Sequence, residues 1–200
     1  MKAGCSIVAA FAAALSMALP AGAADFDLGM AAIGRGDFAA AYAEWAPLAR
    51  AGDPRAQNGL GVLHGNGFGV PRDLGLALGW FRRAAVQGLP EAQNNVGRHY
   101  QFGLGLDQRD AAEAARWYKR AARAGHVASQ GALGAMYARG EGVPKDLLRA
   151  YFWWSVAAAE GDSASMIARE DAAGLMTPRQ IKTGNLLAES WRREPVITGP

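Results

Sequence analysis

Along residues 77–85 the apolar side chains Ala77, Trp80, Phe81, Ala84 and Ala85 fall at i, i+3, i+4, i+7 and i+8, with Arg82 and Arg83 among the residues between them. That is an apolar stripe wide enough for one face of a helix to meet a core. The same stripe returns as Ala114, Trp117, Tyr118, Ala121 and Ala122, and again as Ala150, Trp153, Trp154, Ala157 and Ala158. Each copy is preceded by a second, less apolar helical stretch, at 56–67, 92–103 and 129–140. Gly61, Gly97 and Gly134 stand 36 and 37 residues apart, and Trp80, Trp117 and Trp153 stand 37 and 36 apart. Self-similarity at such a period marks a repeat architecture and outranks any local motif.

Each unit therefore reads as helix, glycine turn, helix. The turns are GVPRD (69–73), GLDQRD (105–110) and GVPKD (142–146), and the extra residue of the middle one accounts for the changed spacing. Asp73, Asp110 and Asp146 precede the stripes, where a carboxylate caps free helix N–H groups at about 1 kcal/mol. Gly88, Gly125 and Gly161 follow them as helix ends. Gly61, Gly97 and Gly134 lie inside the first helices, where glycine costs roughly 1 kcal/mol relative to alanine. Three in register predict close approach of a neighbouring helix.

The ends differ from the repeats. Phe26, Met30 and Ile33 predict a short helix, Gly34-Arg35-Gly36-Asp37 a break, and 38–51 a second helix with Trp45 in the place of Phe81. Residues 165–174 resemble a first helix without the glycine turn. Thr177-Pro178-Arg179-Gln180 then has the form of a capping box with proline at N1. It starts a last helix carrying Ile181, Leu186, Leu187 and Trp191. A stack of repeats needs such an atypical end unit to cover its final apolar face. The expected organisation is an opening unit at 25–53, repeats at about 54–90, 91–127 and 128–163, a capping unit at 164–193, and a loose tail at 194–200.

Residues 1–24 fall outside that scheme. Lys2 is their only charge, the apolar run Ser6 to Leu19 is short for a bilayer span, and Pro20 with small residues follows. The expectation is a secretory signal peptide cleaved after Ala23 or Ala24, with an uncleaved N-terminal anchor as the competing reading. Cys5 is the single cysteine, so the mature chain has no disulfide, thiol nucleophile or sulfur ligand. The expected localisation is the bacterial periplasm or the extracellular space. Without Lys2, 20 basic residues face 18 acidic ones, a near-neutral balance that argues against a nucleic-acid binder.

The third unit spells LG-x-x-Y-x-x-G-x-GV-P-x-D, then A-x-x-W and AA-x-x-G, through Leu133, Gly134, Tyr137, Gly140, Gly142, Val143, Pro144, Asp146, Ala150, Trp153, Ala157, Ala158 and Gly161. This pattern resembles the Sel1-like repeat, a relative of the tetratricopeptide repeat, over about residues 26–192. His64 stands in the tyrosine position of the first unit, and Leu106-Asp107 replaces Val-Pro in the second. The resemblance implies an all-α fold, a right-handed α-solenoid of antiparallel helix pairs that serves as an adaptor for proteins or peptides. A cysteine-rich secreted branch of that family is associated with β-lactam binding, and this chain lacks its cysteines.

Candidate chemistry is sparse. His64 and His99 take packing positions of the repeat, and His126 reads as a loop residue. No metal-ligand spacing, nucleophile elbow or phosphate loop is evident, so no catalytic, metal or cofactor residue is assigned. Arg116, Lys119, Arg120 and Arg123 form a basic cluster, read as a solvated face or else a patch for anionic polymer. In such superhelices the first helices line the inner wall. With Val96 and Tyr100 turned inward, Asn94, Arg98 and Gln101 face away from them. Asn58 and Arg139 are taken as their counterparts in adjoining units, and these five are the expected protein-binding residues. The expected function is a non-enzymatic periplasmic or secreted scaffold for a protein or peptide partner. A cell-wall-associated binding protein or hydrolase is the alternative.

Overall fold

The computed structural model describes residues 25–193; the expected signal peptide and the tail at 194–200 lie outside them. The described residues form an all-α, right-handed solenoid of antiparallel helix pairs. The helices are α1 (Phe26–Gly34), α2 (Phe38–Ala51), α3 (Pro54–Asn66), α4 (Leu74–Val86), α5 (Pro90–Phe102), α6 (Ala111–Arg123), α7 (Val127–Arg139), α8 (Leu147–Ala159), α9 (Ser163–Ala173) and α10 (Pro178–Arg193). Through α9 each helix packs on the next in sequence.

Local chemistry sets the helix starts. Asp73, Asp110 and Asp146 accept the N–H of Leu76, Glu113 and Arg149 at 2.8 to 2.9 Å. The N–H groups of these aspartates donate to the carbonyls of His64, Tyr100 and Tyr137, which ties each second helix to the first helix of its unit. His126, in the loop as expected, is also the N-cap of α7: its Nδ1 accepts the Ser129 N–H at 3.2 Å. Thr177 and Gln180 form the reciprocal capping box, at 2.9 and 3.3 Å.

The mid-helix glycines seat aromatic rings. A Cβ on Gly61 would stand 2.5 Å from the Phe81 ring, one on Gly97 2.8 Å from Tyr118, and one on Gly134 2.7 Å from Trp154. The indole of Trp45 lies over both Gly29 and Gly59, so the opening unit uses the same device. In the turns, Gly105 lies at φ +67° with its Cα side against the Leu74 backbone, a place that excludes a side chain on two counts.

A buried glutamine locks each unit to the one before. Gln57, Gln93 and Gln130 donate through Nε2 to the carbonyls of Ala49, Ala85 and Ala122 at 3.1 to 3.2 Å. The buried apolar residues gather in three successive clusters along the stack.

The last helix departs from the expectation. Its buried residues are Gly184 and Ala188, flanked by the half-buried Ile181 and Trp191 at helical spacing. Leu186 and Leu187, expected to join that face, are 57% and 46% exposed. Helix α10 packs chiefly on α8: Gly184 meets Tyr151, and Trp191 crosses Phe152 and Trp153 edge-on.

Candidate functional site

Successive first helices are joined by amide and hydroxyl groups. Asn95 Nδ2 donates to Asn58 Oδ1 at 3.0 Å, tying α5 to α3, and Ser129 Oγ donates to Asn94 Oδ1 at 2.9 Å, tying α7 to α5. Two grooves open beside α3. The first, about 280 Å³, lies between α1 and α3 and is almost wholly apolar, with Met30, Ile33, Phe38, Val62 and Phe68 in its walls and Asn58 at its edge. The second, about 380 Å³, lies between α3 and α5 and is the more polar of the two, with Arg72, Asn95, Arg98 and His99 lining it beside Leu74, Phe81 and Leu104. Val62 belongs to both.

The polar groove is positively charged. Arg98 is exposed, Arg72 donates through Nε to the Gly65 carbonyl at 3.0 Å, and no carboxylate lines either groove. His99 is 5% exposed and donates from Nδ1 to the Leu104 carbonyl at 2.7 Å. Burial pushes its pKa below the ordinary 6.5; the Leu104 hydrogen bond opposes this, while Arg98 and Arg82 add to it. The groove thus holds a neutral imidazole beside fixed guanidinium charge. No serine or cysteine lines either groove. Among the described residues no group of His, Cys, Asp and Glu could hold a metal ion. The arrangement can hold a ligand.

Of the five expected residues, Asn58 and Arg98 come together around these grooves. Asn94 is engaged at the next joint along the wall, and Gln101 accepts the Tyr118 hydroxyl at 2.8 Å. Arg139 pairs with Glu141 at 3.0 Å in the following turn; its repeat position is that of Phe102, one step beyond Gln101. Sequence reasoning missed Asn95 and the apolar groove. Asn95 aligns with Gly59 and Ala132, so a polar residue unique to one unit was the available signal. The basic cluster on α6 is a solvated face: Arg116 pairs with Glu113, and Arg120 covers the Trp117 ring at 4.4 Å.

The Sel1 repeat matches residues 54–89, 90–126 and 127–162, more than half of the chain. The chain belongs to the Sel1 repeat family. It is similar to the Sel1 repeat protein from Oxalobacter formigenes, at 28% identity and a TM-score of 0.69, with 72% of this chain and 59% of that one covered. It is also similar to c5321, a protective antigen of uropathogenic Escherichia coli with an SLR fold, at 26% identity and a TM-score of 0.72. That likeness covers 83% of this chain and 40% of the antigen. The chain thus spans 59% and 40% of the length of these two structures. Among curated proteins none matches. Sel1 repeats generally mediate protein–protein interaction as non-catalytic scaffolds.

Proposed function

We propose that this Sel1 repeat chain is an exported, non-enzymatic scaffold that holds a protein or peptide partner along its first helices. The observation that carries this reading is the pair of grooves flanking α3, open to solvent and joined by the Asn58–Asn95 amide bridge. Export is supported by the apolar run Ser6 to Leu19 with small residues after Pro20. Among the described residues no helix is long and apolar enough to cross a membrane.

Affinity capture from a periplasmic extract, read by mass spectrometry, tests the proposal. A reproducible protein partner is expected with the wild-type chain. Charge reversal at Arg98 is expected to weaken capture while leaving the melting temperature unchanged, because its side chain is exposed. Capture of no protein, together with binding to purified cell wall, would replace this reading with that of a wall-associated protein.

A further inference from the structure

From the two grooves we infer that the partner presents an extended segment in which an apolar side chain and a carboxylate stand three residues apart. This rests on the scaffold reading and adds to it the chemistry of the bound segment. The apolar residue occupies the α1/α3 groove among Met30, Val62 and Phe68, and the carboxylate meets Arg98 in the α3/α5 groove.

Three observations carry the inference. The grooves differ in character: one is apolar, while the other holds two arginines and no acid. They flank one helix, so their centres stand about one helix spacing apart, ~8–10 Å. Three residues of a polyproline II chain cover that distance at about 3.1 Å each, and its three-residue turn brings side chains i and i+3 to the same face. Between the grooves lies the amide bridge, with Asn58 on the rim of one and Asn95 in the lining of the other. Their mutual bond uses Asn95 Nδ2 and Asn58 Oδ1. Each amide has both donor and acceptor capacity, so Asn58 keeps N–H donors and Asn95 keeps its carbonyl oxygen. One N–H and one C=O is the complement of a peptide group, which favours a polypeptide over a polyphosphate, whose oxygens only accept. The backbone crosses at this bridge while its side chains drop to either side.

Arg55 and Arg82 widen the positive field. Arg55 lies over the Phe26 ring at 4.4 Å at the edge of the apolar groove, and Arg82 donates to the Tyr100 hydroxyl and acts on His99. Paired with Asp53 at 3.6 Å, Arg55 is partly neutralised, which leaves Arg98 as the main anchor for a carboxylate.

The test uses the full mature chain and fluorescein-labelled, capped decapeptides of serine and glycine. Leucine and glutamate are placed two, three or four residues apart. Fluorescence anisotropy is expected to show saturable binding that is tightest at three. Replacing leucine by serine, or glutamate by lysine, should weaken it about tenfold or more, as should Met30→Glu or Arg98→Glu in the protein. Arg98→Glu should recover binding of the lysine peptide, a result that misfolding cannot produce. Met30 and Arg98 are exposed, and thermal melts check that each variant folds as the wild type does. Absence of saturable binding up to millimolar peptide overturns the inference, as does binding indifferent to Arg98→Glu. Equal competition by polyglutamate without leucine also overturns it. If the same chain still captures a protein from extract, the scaffold reading stands and only the groove chemistry falls.

Discussion

At the scale of single residues, the fold depends on aromatic rings lying flat on glycine. Gly97→Leu has no space, because even a Cβ would stand 2.8 Å from Tyr118. Overpacking of this kind costs about 1–3 kcal/mol or more, roughly 3–10 °C for a chain of this size. Gly79 lies in α4 with nothing within 4 Å of its Cβ position. Gly79→Ala should therefore raise the melting temperature slightly, since alanine is favoured by roughly 0.8–1 kcal/mol in a helix. Equal effects of the two substitutions in thermal melts would remove the ring-on-glycine account. The histidines give a second residue-scale prediction. Burial lowers the pKa of His99, and of His126 against the opposing pull of Glu91, so both stay neutral in the fold when the unfolded chain is protonated. Stability is thus full above pH 6.5 and lost as pH falls through the folded values. His99→Met, the residue at the same place in the third unit, should make the fall in melting temperature between pH 7.5 and 5 shallower. These residues differed in how far the sequence revealed them. A mid-helix glycine repeated three times signals close approach by its cost alone. Gln57, Gln93 and Gln130 also recur, yet a buried amide that locks two units has the same letter as a solvated one.

At the scale of the element, the second helices differ in what covers their tryptophans. Arg83 and Arg120 cover the Trp80 and Trp117 rings at 4.5 and 4.4 Å. The matching position of α8 is Val156, and Trp153 is covered instead by Trp191 of α10, with ring centres 5.4 Å apart. One residue earlier, Arg82 and Lys119 are answered by Ser155, which lines a crevice with Asn185 and Ala188 of the cap. The pair Ser155→Lys with Val156→Arg should push α10 off by placing charge on a buried face. A loss of roughly 6 °C or more is expected, with amide exchange accelerated in α10 and unchanged in α3 to α6. Protection of α10 at the wild-type level would show that the cap does not depend on that face. The capping helix itself was legible from its Thr-Pro-Arg-Gln start, and its inward face was not. Ile181, Leu186, Leu187 and Trp191 all look apolar in one dimension, and only the crossing over Tyr151 selects Gly184 and Ala188 as the contact.

At the scale of the whole molecule, the core is a file of three clusters, each shared by neighbouring helices. Stability in such a chain is close to a sum of unit and interface terms. Truncation after Asp162 should uncover Tyr151, Phe152 and Trp153, giving concentration-dependent association on size exclusion while α3 to α6 keep their protection in exchange. A monomer as stable as the full chain would contradict this. The order of units was legible because a period survives in one dimension. The grooves were not, since they arise between helices from unlike units, where Met30, Val62 and Phe68 are separated by up to a full repeat.

The substitution of Ser155-Val156 for Lys-Arg has a consequence for how such chains change length over generations. A unit that carries Arg or Lys at these places can follow another of its kind, because the charges stay in water while the glutamine of the next unit finds the same carbonyl. Unequal recombination that copied residues 91–127 would lengthen the stack without disturbing either end. The stop signal would travel with α8 and keep the final face closed. Gene duplication could therefore count units upward freely, and two codons near the end would still decide where counting stops.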